Sequence, residues 1–269
     1  MSIFKKTLRR RIALGAALAL PIAALAVPAM ATHSWGGYHW ARTANPFTLK
    51  LGDNVDAKWD SYLATTRSDW TSSAVLNTVI VPGTVGNVRR CSATAGMVQV
   101  CNTTYGSTGW LGIASISITG GTHITQGTVK LNDTYFNTAQ YNTPAWKNMV
   151  SCQEVGHTLG LDHQDTVFDN PNLNTCMDYT NNPSTNQHPN AHDYEQLATI
   201  YAHLDTSTTI SAATAGAAVA DIGDTPATWG RPIHFDALGR PNVYERQDGG
   251  GRTTVTHVIW AVGEGPRGR

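Results

Sequence analysis

Apolar and polar residues alternate over residues 46–51, where Phe47, Leu49 and Leu51 interleave with Thr48 and Lys50. A period of two marks a half-buried strand. Gly52-Asp53-Asn54 breaks the alternation and supplies Asp53 or Asn54 as a helix cap. Trp59, Tyr62, Leu63 and Trp70 then recur near helical spacing, which predicts a long amphipathic helix over residues 57–73. Residues 74–81 read as a strand ended by Pro82-Gly83. Residues 82–109 are loop-rich around Met97-Val98-Gln99-Val100, and the strongly apolar residues 110–119 predict a central strand. Gly120-Gly121 ends that strand, and Ile124, Val129 and Leu131 mark a strand-like stretch over residues 123–136. Pro144 suits the first turn of a further helix, which runs to about residue 159. A last helix spans residues 189–204, with Leu197, Ile200, Tyr201 and Leu204 as its buried stripe.

Beyond this point the pattern changes. Residues 205–220 are rich in Thr, Ser, Ala and Gly and hold no aromatic residue, the composition of a linker. Residues 221–269 are expected to form a small β-rich extension, either a separate module or a hairpin that packs back. The whole reads as an α+β chain with its main domain over residues 32–204.

The first 31 residues carry a different signal. Lys5, Lys6, Arg9, Arg10 and Arg11 precede an apolar run over residues 12–27, and Ala29-Met30-Ala31 is a small-x-small cleavage site. This is the layout of a secretory signal peptide, so a secreted, extracellular protein is expected. An uncleaved anchor and a twin-arginine signal are the alternatives. The full chain has 19 basic and 19 acidic residues, and loss of residues 1–31 leaves 14 against 19, net −5. That balance argues against a nucleic-acid partner. No membrane association after cleavage and a monomeric state are expected.

The chemistry concentrates in residues 151–163, SCQEVGHTLGLDH. On a helix, positions 153 and 157 lie one turn apart on the same face. Gly160 can end the helix and turn the chain so that His163 comes round to His157. Two imidazoles and the Glu154 carboxylate then converge, as in a metal site with a general base.

This stretch resembles the extended zinc motif of the metzincin metalloendopeptidases, H-E-x-x-H-x-x-G-x-x-H, with Gln153 in place of the first histidine. Cys176-Met177-Asp178-Tyr179 resembles the Met-turn of the same clan. The order of elements over residues 46–204 is similar to that of a metzincin catalytic domain of the matrixin type: a twisted mixed sheet, a long backing helix, an active-site helix and a C-terminal helix. The resemblance implies a zinc-dependent endopeptidase acting on extended polypeptides. Gln153, His157 and His163 would hold Zn2+, and Glu154 would act as general base toward a metal-polarised water. Met177 would form an apolar floor, and Tyr179 would bind the metal or the oxyanion, or simply pack. The strand-like residues 123–136 would be the sheet edge that receives substrate.

Three readings of Gln153 stand side by side. It is a ligand through its amide oxygen, or His123, His188, His192 or Asp165 takes its place, or the chain is an inactive metzincin-fold pseudoenzyme acting as an extracellular binding module. The four cysteines imply two disulfides, with Cys91–Cys101 closing a local loop and Cys152–Cys176 clamping the active-site helix to the Met-turn as the favoured pairs. There is no G-x-S-x-G elbow and no glycine-rich phosphate loop.

Overall fold

Nine strands join one mixed sheet in the computed structural model, which describes residues 32–210 and 221–266. The expected signal peptide and the 211–220 part of the expected linker lie outside the described residues. In chain order the elements are β1 (His39–Trp40), β2 (Phe47–Asn54), α1 (Asp60–Thr71), β3 (Leu76–Pro82), β4 (Met97–Thr103), β5 (Trp110–Thr119) and β6 (His123–Asn132). There follow α2 (Asp133–Phe136), α3 (Pro144–Thr158), α4 (Ala191–Ile200), α5 (Pro226–Trp229), β7 (Arg231–Phe235), β8 (Pro241–Gly249) and β9 (Arg252–Trp260). The fold class is α+β, as expected.

The sheet order is β3-β2-β4-β6-β5-β9-β8-β7, with β1 also paired to β6. The pairs β3–β2, β2–β4, β4–β6 and β1–β6 are parallel. The pairs β6–β5, β5–β9, β9–β8 and β8–β7 are antiparallel. Along β2, Phe47, Leu49 and Leu51 are buried while Thr48 and Lys50 are exposed, as the alternation requires. Helix α1 buries Leu63, Thr66 and Trp70. Helix α3 packs on β5 and β6 and against α1, and twelve of its fifteen residues are buried. The opposite face of the sheet carries a smaller core that includes Trp110, Ile113, Trp229, Tyr244, Val258 and Trp260.

Two expectations need correction, and one open alternative is decided. Residues 97–103, within the stretch read as loop-rich, form the interior strand β4, because Met97, Val98, Val100 and Cys101 are buried between neighbours on both sides. Strand β6, expected at the substrate-accepting edge, lies between β4 and β5 and offers no free ladder. Of the two alternatives for the β-rich C-terminal extension, the segment packs back onto the main domain. β9 pairs with β5 from Trp110↔Trp260 to Ile118↔Thr253, so β7–β9 extend the same sheet.

Both favoured disulfides are present, Cys91–Cys101 and Cys152–Cys176, with Cα–Cα separations of 6.0 and 5.9 Å. Two disulfides in a chain of this kind are compatible with an oxidising compartment. No helix among the described residues is long and apolar enough to cross a membrane.

Candidate metal centre

Helix α3 is built to end where the chemistry begins. The Thr143 side chain caps its start by accepting from Trp146 N–H at 3.3 Å, and Pro144 takes the first turn. At the other end Gly160 has φ +95°. Gly160 N–H donates to the His157 carbonyl and Leu161 N–H to the Gly156 carbonyl, the two bonds of a Schellman turn. A side chain at 160 would stand 2.1 Å from the Tyr38 carbonyl oxygen, a backbone atom that cannot swing away. Gly160→Ala is therefore expected to cost more than the roughly 1–2 kcal/mol of a left-handed residue, read as a fall in Tm. An unchanged Tm would show that the turn relaxes freely.

This turn brings His163 back to His157. Their Nε2 atoms are 3.0 Å apart, and the His157 Nδ1–H donates to the Leu161 carbonyl at 2.9 Å. Nδ1 thus carries the proton and Nε2 presents a lone pair toward His163. The Asp162 carboxylate lies 3.3 Å from His163 Nδ1. A third imidazole arrives from a place with no motif. His257 of β9 stacks on His157 with ring centroids 4.0 Å apart, and donor atoms of His157, His163 and His257 all lie within 4.8 Å of one another. Burial, followed by the neighbouring His163, pushes the His157 pKa down to about 3. Burial holds His257 well below the usual histidine range, with His157 and His163 adding to the effect.

These residues fit a divalent transition metal. A tetrahedral centre with metal–nitrogen bonds near 2.1 Å sets its donors roughly 3.4 Å apart. One pair, at 3.0 Å, is close to that separation, and the third ring stacks on His157. Both ring nitrogens of His257 are buried with no hydrogen-bond partner among the described residues. A buried polar atom left unpaired is costly unless something else satisfies it.

Glu154 is fully buried on the same helix, one turn before His157, and neither carboxylate oxygen has a hydrogen-bond partner among the described residues. Burial alone holds its pKa well above the usual carboxylate value. The side chain rests against Gly112 of β5, where an added Cβ would meet Glu154 Oε1 at 2.7 Å. Ala114, two residues along on the same sheet face, is the ladder partner of His257. Glu154 and His257 are thereby set on one face of the β5–β9 pair.

Gln153 makes a bond that the motif does not imply. Its amide Nε2 donates to the Cys176 carbonyl at 2.8 Å, which ties α3 to the Met-turn, while Oε1 is buried without a partner. The place of the third imidazole goes to His257. None of the substitutes considered from the sequence joins the group. His123 pairs with Asp205 at 3.2 Å, His188 with Asp69 at 2.9 Å, His192 stacks on His33 at 4.7 Å, and Asp165 accepts from Val167 N–H at 2.7 Å. Gln153→Ala is expected to leave zinc bound and to lower stability by about 1–3 kcal/mol, because the buried Cys176 carbonyl loses its donor. Chemical denaturation and metal analysis of one preparation check this, and loss of zinc with the fold intact would return Gln153 to the ligand set.

Met177 is fully buried and packs on α3 at Gly156, where an added Cβ would stand 2.6 Å from its sulfur. Gln164 N–H donates to the Met177 carbonyl at 2.7 Å, joining the Met-turn to the chain just past His163. Tyr179 packs its ring on His163 at 4.3 Å between centroids. Its hydroxyl donates to the Val258 carbonyl at 3.1 Å and accepts from Asn242 at 3.3 Å, so it fastens β8 and β9 over the site. Burial, above all, raises its pKa well above the usual tyrosine value.

His257 was the residue that sequence reading missed. A signal existed: Val255, His257 and Ile259 share one face of β9, so a lone histidine sits in an apolar row. The centre is closed to solvent, with His163 the most exposed of the three imidazoles at 8%. No protein-family model matches this sequence, and no curated protein matches it, so the metzincin resemblance rests on the sequence motif of residues 153–179.

Proposed function

We propose that the chain is a metal-dependent peptide hydrolase of the metzincin kind, with His157, His163 and His257 as its metal ligands and Glu154 as its general base. The observation that carries this reading is the convergence of three imidazoles, with a buried carboxylate one turn before His157 on the same helix that has no hydrogen-bond partner among the described residues. A zinc ion held there would supply Lewis acidity, polarising the scissile carbonyl and making water acidic. Glu154 takes a proton from the attacking water and passes it to the leaving amine. A carboxylate held in an apolar setting is a strong base once ionised, and a nearby cation favours its ionised form. The Leu161 carbonyl on His157 Nδ1 orients the helix ligand, and the Asp162 carboxylate lies 3.3 Å from Nδ1 of His163, the ligand past the turn. Met177 and Tyr179 act as packing and fastening groups rather than as acid or base.

Substrate entry is part of the proposal. With β9 on β5, an extended peptide has no sheet edge beside Glu154 to join. A polypeptide reaches the site only when β7 and β8 yield locally while β9 keeps His257 in place. The closure favours a second reading, a catalytically silent protein that keeps the fold as an extracellular binding module. The deciding experiment measures zinc and cleavage together on the purified protein. Hydrolysis of casein that a chelator abolishes and zinc restores supports the enzyme. Full zinc occupancy with no cleavage of casein or of a mixed peptide library overturns it in favour of the silent module.

A further inference from the structure

A second cluster of metal-binding side chains lies away from Glu154, where the N-terminal strand meets the chain after α4. His39 in β1 is the ladder partner of His123 at the start of β6. His203 and Asp205 follow α4. Asp205 Oδ1 is approached by three imidazole Nε2 atoms, from His39 at 3.5 Å, His123 at 3.2 Å and His203 at 3.7 Å. The Nε2 atoms of His39 and His203 are 3.2 Å apart. Donor atoms of His39, His203 and Asp205 all fall within 4.8 Å of one another.

These separations match what a tetrahedral ion asks of its ligands, roughly 3.4 Å between donors bonded at about 2.1 Å. The donors are also oriented. His39 Nδ1–H donates to the Gly37 carbonyl at 2.8 Å, which leaves Nε2 as the lone-pair nitrogen. Asp205 Oδ2 is held by Arg42, from its backbone N–H at 3.1 Å and from Nη1 at 2.9 Å, so Oδ1 is the oxygen that faces the imidazoles. His39 is buried, while the His203 side chain is 53% exposed, so an ion can enter from solvent.

We propose that His39, His203 and Asp205 hold a second divalent transition-metal ion of the zinc class, with His123, whose Nε2 approaches the same Oδ1, fixing the carboxylate or closing the fourth position. The ion is structural. It ties β1 and β6 to the end of α4, directly behind the turn that presents His163. Trp40, next to His39, donates its indole N–H to the Thr158 carbonyl at 2.9 Å. The Tyr201 hydroxyl, two residues before His203, donates to the Leu159 carbonyl at 3.0 Å. The clamp therefore bears on the last turn of α3. It stands independently of the hydrolase reading, since it shares no ligand with the first centre.

The test counts zinc and follows Tm. The purified protein is equilibrated with zinc, freed of loosely bound ion by gel filtration, and analysed for metal. Two equivalents are expected in the native chain, one in His203→Ala, one in His257→Ala, and none in the double variant. His203 is exposed, so its replacement spares the core. As a second measurement, added zinc is expected to raise the Tm of His257→Ala and to leave the double variant unmoved. The proposal is overturned if His203→Ala holds as much zinc as the native chain, or if the zinc-dependent rise in His257→Ala survives the loss of His203. Failure of the first centre appears separately, as His257→Ala retaining the native zinc content.

Discussion

His257→Ala is expected to empty the buried centre and abolish hydrolysis. The variant should lose zinc affinity by more than about 100-fold, since loss of a ligand exceeds the 10–100-fold effect of losing a supporting group. The argument rests on position: His257 stacks on His157 at 4.0 Å, and both its ring nitrogens lack hydrogen-bond partners among the described residues. His257→Gln, which keeps more of the side-chain volume, separates loss of the ligand from loss of packing and should also bind poorly, because an amide oxygen is a weaker zinc donor than imidazole. The measurements are zinc content, a chelator competition titration and the rate of casein cleavage. There is a sharp opposite outcome. If β9 were only a cover over a site completed elsewhere, removing His257 would leave zinc bound and raise the cleavage rate. That result would end the three-histidine assignment.

The second large effect is expected from Glu154→Gln. Loss of a positioned general base lowers kcat by about 10²–10⁴-fold, while zinc content stays at the native level because Glu154 is outside the ligand set. The same variant has a pH signature in metal-free protein. Burial raises the folded-state pKa of Glu154 well above its usual value. The folded chain then holds a proton that the unfolded chain releases near pH ~4.3, so stability from this group is present at low pH and is lost as pH rises through the folded value. The stability difference between native and Glu154→Gln should therefore change with pH, moving in favour of the variant as pH rises above ~4.3. Comparing the two proteins cancels the titration of the histidines. Equal kcat in both proteins would remove Glu154 from the mechanism, whatever the stability data show.

The sequence by itself determined the local pieces of this protein. Alternation placed β2, and helical spacing placed α1 with Trp70 buried, because side-chain period follows backbone geometry. Gly160 announced the end of α3, since only a residue tolerant of φ +95° lets the chain turn there toward His163. The cysteine spacing and the Met-turn likewise pointed to Cys152–Cys176. Tertiary structure decided what no window of sequence contains. Strand β4 was hidden in a loop-rich stretch because its burial comes from neighbours on both sides, which override weak local pattern. The third imidazole lies in β9, and only the β5–β9 ladder sets it beside His157. The strand where substrate was expected, β6, is closed on its two sides by β4 and β5. Gln153 looked like a ligand by its place in the motif, and the tertiary structure adds a bond from its amide Nε2 to the Cys176 carbonyl, because a buried donor needs an acceptor. Ligand sets are properties of a volume, and a volume is filled by whichever distant strands the sheet brings there.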